Sequence, residues 1–362
     1  MAEWSRVANT TIAEYVKGEE NNILRNRKFY AMLKSKGRIT FNHHGDEIVK
    51  RVRFKRAPMM GYADGDTLTF ARRDRWKTCR LDWRGYSITD SMTKKEKLMN
   101  AGASQIINIF SELGKSLMED MEDQFGEELY VDGNATGNSK RFHGAESFFG
   151  VSGAASAGYI STPSDTYAGL STALGNYGGS WNTSGGNSTW PIGTGDAHYD
   201  FFSPLVVDYT DTLWSAGTDT WANTCVEAIR FGIIHSKKNK SRKGSLDYIE
   251  LDSELYRLFQ QANNSLQQIN INRGGGEGLV SLGFGDVMNF EGVDLSYEYG
   301  LPTGVGYGWN LDQVELMSLQ DSLFKVEGPD YDMQTKSHRT SIDCLGNMWW
   351  NPRFQLKFVS TT

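Results

Sequence analysis

Apolar side chains recur at steps of three and four through the middle of the chain. Ile106, Ile109/Phe110, Leu113, Leu117, Met121, Phe125 and Leu129 keep this spacing, which places them on one face of a helix. Upstream, Thr93 with Glu96 three residues later has the form of a capping box. Together they predict a helix from Thr93 to Tyr130, about 55 Å long at 1.5 Å per residue. Gly102, Gly114 and Gly126 interrupt it, each costing about 1 kcal/mol relative to Ala. Before this helix the period changes to two. Ile48, Val52 and Phe54 alternate with Lys and Arg, as do Leu68 and Phe70 further on, and APMMGYADGDT between them carries turn residues. The pattern predicts a long two-stranded hairpin, and a ten-residue strand of it reaches about 33 Å. A lone ribbon of two strands is marginal in water, so it needs a surface to lie on.

Residues 1–45 are polar with weak helical spacing (Ile12, Tyr15, Val16, then Ile23, Leu24, Phe29, Leu33), which reads as a helix-containing arm. From Gly133 to Asp200 the chain turns to Gly, Ser, Thr and Asn, and its fourteen Gly mark a loop-rich insertion. Beyond Pro204, Trp214, Thr218, Trp221, Cys225, Ile229 and Ile233 predict a helix ending at Lys237-Lys238. A strand in SLDYIEL (245–251) then runs into a helix opened by Asp252. GVDLSYEYGLP, WNLDQVELMSL and the closing MWWNPRFQLKFVS read as strands. The order is mixed α+β without a repeating βαβ unit.

Charge sharpens the picture. The 362 residues carry a formal charge of -6. From Glu47 to Arg84 eleven Lys or Arg face five acids, about +6, which leaves about -12 for the remainder. The second half of the long helix holds Glu119, Asp120, Glu122, Asp123, Glu127 and Glu128, at the end where the helix dipole disfavours acids. The basic ribbon can be a solvated face. It can be a nucleic-acid ribbon, for which Tyr62, Trp76 and Trp83 are the aromatics at hand. It can also dock on an acidic surface of another copy, and the helix supplies such a surface within the same sequence.

Familiar chemistry is missing. Gly114-Lys115-Ser116 has Ile109 where a phosphate loop needs Gly, and Gly283-Phe284-Gly285 lacks the third Gly of a dinucleotide site. The six His form no HExxH, and no GxSxG occurs. Three separate Cys suggest free thiols, and the N-terminus has no signal-peptide pattern. No catalytic, cofactor-binding or metal-ligating residue is expected, and no membrane span.

The order of a polar arm, a charged hairpin, a very long helix and a mixed α/β region resembles a tailed-bacteriophage major capsid protein of the Hong Kong 97 type. Asn351-Pro352-Arg353 in the closing strand, SLDYIELDSELYRLF and EGVDLSYEYGLP are similar to segments of that family. The resemblance implies an N-arm (1–45), an E-loop (46–92) and a spine helix of the peripheral domain (93–132). It further implies an insertion (133–203), an axial domain (204–335) and a C-terminal strand of the peripheral domain (336–362). No room for the family's long scaffolding segment exists ahead of Glu47, so a separate scaffolding protein is expected.

The resemblance implies an E-loop lying over the peripheral domain of a neighbouring subunit. Its contacts would come from Arg53, Lys55, Met59, Met60, Tyr62, Arg72, Arg73 and Arg75, against Glu119, Asp120, Glu122 and Asp123. The implied partners are further copies in hexamers and pentamers, a portal protein and non-specifically packaged double-stranded DNA, in a virion capsid assembled in the host cytoplasm. Some relatives join an E-loop Lys to an Asn of a neighbour. Lys50, Lys55 and Lys77 would be the donors here and Asn347 or Asn351 the acceptors, and this bond is not expected. The alternatives are an encapsulin-like nanocompartment of the same fold, and an enzyme with a site in the Gly-rich region.

Overall fold

A computed structural model describes residues 27–54, 59–99, 109–156, 161–163, 165–173, 201–211, 214, 220–237, 246–265, 287–320 and 322–360. The described residues open with helix α1 (Lys28–Ser35), strands β1 (Ile39–His43) and β2 (Glu47–Arg53), then β3 (Trp76–Asp82) and β4 (Arg84–Thr93). Helices α2 (Lys94–Met99) and α3 (Ile109–Glu128) follow. Short strands β5 (Val151–Ser156), β6 (Ser161–Pro163), β7 (Thr166–Tyr167) and β8 (Leu170–Ser171) precede β9 (Leu205–Asp208). Then come α4 (Trp221–Ser236), β10 (Tyr248–Leu251), α5 (Ser253–Ser265), β11 (Met288–Phe290), β12 (Val293–Tyr297) and β13 (Gly306–Trp309). The last strands are β14 (Val314–Leu319), β15 (Lys325–Asp332), β16 (Ser337–Trp350) and β17 (Leu356–Val359).

Two sheets organise these elements. One runs β1-β14-β16-β15, with β4 also paired to β16; the other has six strands in the order β11-β12-β10-β13-β17-β9. The fourteen residues of β16 allow it to serve β15 and β4 along its first part and β14 along its last.

Each sheet has a core. Helices α4 and α5 cover one face of the six-stranded sheet, with Ile229, Ile233 and Phe259 packed in one buried cluster with Ile249, Leu251, Leu356 and Phe358. Gly232 permits this close approach, since a Cβ there would sit 2.8 Å from Leu356 and 3.0 Å from Phe358. The second core lies on the other face and extends to the five-stranded sheet. Phe29 of α1 is at its centre, with ring centroids 5.1 Å from Trp309 and 5.7 Å from Trp350, the latter stacked at 9°. Helix α3 adds Leu117, Met121 and Phe125. These are positions of the three-four repeat in the sequence.

Several expectations are met and others corrected. The capping box is formed, with Thr93 N donating to Glu96 Oε2 at 2.8 Å and Glu96 N to Thr93 Oγ1 at 3.3 Å. Helical structure is described on both sides of residues 100–108, which lie outside the described residues. The hairpin differs from its sequence reading. Its second strand is Trp76–Asp82, not the stretch around Leu68, Phe70 and Arg72. Alternation alone cannot make a ladder: residues 66–75 have no strand partner among the described residues and take no regular structure. The helix expected from Trp214 starts at Trp221, because the Trp214 indole instead donates to the Asp208 carbonyl at 2.9 Å. Strand pairing also cuts across the expected boundary at 335/336. Strands β14, β15 and β16 belong to the five-stranded sheet, whereas β17 joins the six-stranded one. Positions 174–200, the heart of the Gly-rich insertion, lie outside the described residues.

Candidate subunit interface

The basic arm has a fixed root and a bare extension. Strands β2 and β3 pair antiparallel over seven positions, from Glu47↔Asp82 to Arg53↔Trp76. Ile48, Cys79 and Leu81 are buried in the core and anchor the ribbon. Lys50 pairs with Glu315 of β14 and lies over the Trp349 ring at 5.2 Å. Burial pushes the Glu315 carboxyl up, but the hydrogen bond and charge of Lys50, the Thr40 hydroxyl and His43 together outweigh this and hold it below the usual carboxylate range. Lys77 sits 5.0 Å over Phe54, and Arg80 pairs with Glu47 at 3.0 Å.

Beyond the root, residues 59–75 leave the body. The turn at their tip is held by Ala63 N on Asp66 Oδ2 at 2.7 Å. Met59 is 99% exposed and Phe70 93%, and Met60, Tyr62, Leu68 and Trp76 are exposed as well. Arg53, Arg72, Arg73 and Arg75 are exposed among them. Lys55 lies outside the described residues. Covering one such apolar side chain is worth about 1.5–3 kcal/mol, so several along one segment form a surface suited to a protein partner.

The acidic helix end is less free than its sequence suggests. Asp123 and Glu127 both pair with Arg27 at 3.0 Å. Glu128 pairs with Arg141 and accepts from the Tyr86 hydroxyl at 2.7 Å. At least these acids are thus answered within the subunit by cations outside the arm. Glu119, Asp120 and Glu122 are half-buried. The sequence reading missed Arg27, although an Arg-Lys pair directly before an amphipathic helix was there to be read.

The candidate cross-linking groups are also placed. Asn347 is fully buried; its Oδ1 accepts from His143 N at 3.0 Å and Met348 N at 2.8 Å, and its Nδ2 donates to Asp82 O at 2.7 Å. A neighbour's lysine cannot reach it without unpacking the core. Asn351 Nδ2 donates to Gln313 Oε1 at 3.3 Å. Boiled particles should therefore run on a reducing denaturing gel as one band near 40.6 kDa; a ladder of multimers would contradict this. The three thiols are buried, and burial raises Cys79 and Cys344 to about 12 and Cys225 to about 11, so they stay protonated and unreactive at neutral pH. Among the described residues no group of three His, Cys, Asp or Glu could hold a metal ion, and no helix is long and apolar enough to cross a membrane.

No protein-family model and no curated protein matches the sequence. Solved structures do match, over nearly the whole chain. A chain of the cyanophage A-1(L) capsid is 14% identical with a TM-score of 0.59, covering 97% of each chain. The capsid of a native GTA particle is 8% identical at 0.57, covering 96% of this chain and 95% of its own. The holo-SrpI encapsulin of Synechococcus elongatus is 9% identical at 0.52, covering 98% and 96%. The chain has the Hong Kong 97-type capsid fold, with α and β elements mixed as the sequence order implied.

Proposed function

We propose that this chain is the major capsid protein of a tailed bacteriophage, a structural protein that builds an icosahedral shell around double-stranded DNA. The observation that carries the reading is the arm: residues 59–75 present Met59, Met60, Tyr62 and Phe70 to solvent beside Arg72, Arg73 and Arg75. Such a segment is poorly suited to an isolated subunit and well suited to one covered by its neighbour. In this reading the arm is the E-loop and lies over α3 of the adjacent subunit, near Glu119, Asp120 and Glu122. Exposed ion pairs contribute only about 0–1 kcal/mol each, so charge selects the orientation while the apolar tip supplies affinity. The domain division expected from sequence, apart from its boundary at 335/336, belongs to the same proposal, as do the hexamers and pentamers, the portal and scaffolding partners, and assembly in the host cytoplasm. The role is structural rather than enzymatic.

The full-length likeness to an encapsulin supports a second reading, a nanocompartment shell. The phage reading is favoured by the higher similarity of the cyanophage capsid, with a TM-score of 0.59 against 0.52. Nuclease treatment of purified particles separates the two. Protected double-stranded DNA is expected; particles with a protein cargo and no DNA would favour the nanocompartment, and the absence of particles would defeat both.

A further inference from the structure

A pocket of about 390 Å³ lies at the root of the basic arm. Lys50, Arg51 and Arg53 of β2 line it, and so does Arg353 from the turn between β16 and β17. Arg51 and Arg53, two apart on a strand, lie on one side of it and Lys50 on the other. The pocket therefore reaches around an edge of β2, a strand that pairs only with β3 among the described residues. These lining residues bring four positive charges, and no acid is among the described residues that line the pocket. Lys50 is answered by Glu315, and Arg53 and Arg353 have contacts of their own. Arg51 is exposed and forms no ion pair among the described residues.

Neutral donors stand beside the cations. Gln313 and Asn351 also line the pocket. Asn351 Nδ2 spends one N–H on Gln313 Oε1 at 3.3 Å, and Gln313 Nε2 donates to nothing among the described residues. This set of donors selects an anion. A carboxylate has two oxygens and one charge, which a single guanidinium fork can match. A phosphate group offers more acceptor oxygens and up to two charges, so several cations can share it. The aromatic lining decides against a base as the recognised group. Phe201 is 2% exposed and Trp349 7%, with Lys50 Nζ 5.2 Å from the Trp349 ring centre, so neither ring is an open platform for stacking.

We propose that the pocket at the arm root binds a phosphate group, as the free ion or within a nucleic-acid backbone, with Arg51, Arg53, Arg353 and Gln313 as its donors. The contact is made to phosphate oxygens alone and reads no sequence. The phosphate site rests on the subunit; only a DNA backbone as its source rests on the phage reading above.

Arginine modification of the unassembled full-length chain tests it. Phenylglyoxal labelling of Arg51, followed by peptide mass spectrometry, should slow by about tenfold at about ten times the half-saturating concentration of inorganic phosphate. Arg72 and Arg73, on the arm beyond the root, should keep their rates within about twofold, because screening confines the effect to the site. A short DNA duplex in place of phosphate separates the sources: protection of Arg51 by both places the backbone in the site, and protection by phosphate alone assigns it to the free ion. In Arg51→Gln combined with Arg353→Gln, phosphate affinity read by phosphorus NMR should fall at least about tenfold. Should that variant fail to fold, the labelling of the wild type decides. No protection of Arg51 by either ligand, or equal slowing at Arg72 and Arg73, overturns the proposal. Particles without DNA would end the phage reading and leave the phosphate result standing.

Discussion

Arg72→Glu combined with Arg73→Glu should abolish shell formation and leave the subunit folded. Both residues are exposed and lie in a segment without strand partners among the described residues, so the fold loses little; such surface changes usually stay within about 0.5 kcal/mol. At the proposed interface the same change would reverse two charges in every copy and set them against the acids of the neighbour. The effect repeats at each contact, so a modest loss per subunit is enough to prevent closure. Sedimentation should show free subunits or small oligomers, with circular dichroism unchanged. High salt should weaken wild-type assembly in the same direction, because exposed charges are screened beyond about 8–10 Å near physiological ionic strength. Normal particles from the double variant would remove charge from the docking account.

Phe29→Ala should cost about 3–5 kcal/mol of subunit stability. The ring is fully buried and touches Trp309, Trp350, Tyr130 and Tyr248, with centroids between 5.1 and 6.5 Å away. Those four residues come from β13, β16, the turn after α3 and β10, so a cavity here would loosen the junction between both sheets and the helix. Against a typical total of about 5–15 kcal/mol the loss is large. The urea midpoint of the unassembled subunit measures it, and a loss below about 1 kcal/mol would show that α1 is not an anchor.

How far the sequence could be read depended on whether local pattern matched burial. Helix α3 was readable because its apolar face meets the core, and Thr93 with Glu96 because a capping box is local chemistry. Glu250 was not. In Tyr248-Ile249-Glu250-Leu251 the alternation reads Glu250 as facing solvent, yet all four residues are buried because the sheet is covered on both faces. The arm misled in the opposite way, since Leu68 and Phe70 alternate like a strand but pair with no strand among the described residues. Of the expected interface residues, the exposed arm positions could be inferred from charge and turn residues. The pairing of Asp123 with Arg27 could not, because it joins residues 96 apart.

Electron cryomicroscopy of particles formed by the full-length chain is the most direct test of the central claim. The account predicts closed shells in which residues 59–75 lie against α3 of the adjacent subunit, with Met59, Met60 and Phe70 covered. Closed shells with this arm folded over its own subunit, or a chain that remains unassembled, would contradict it.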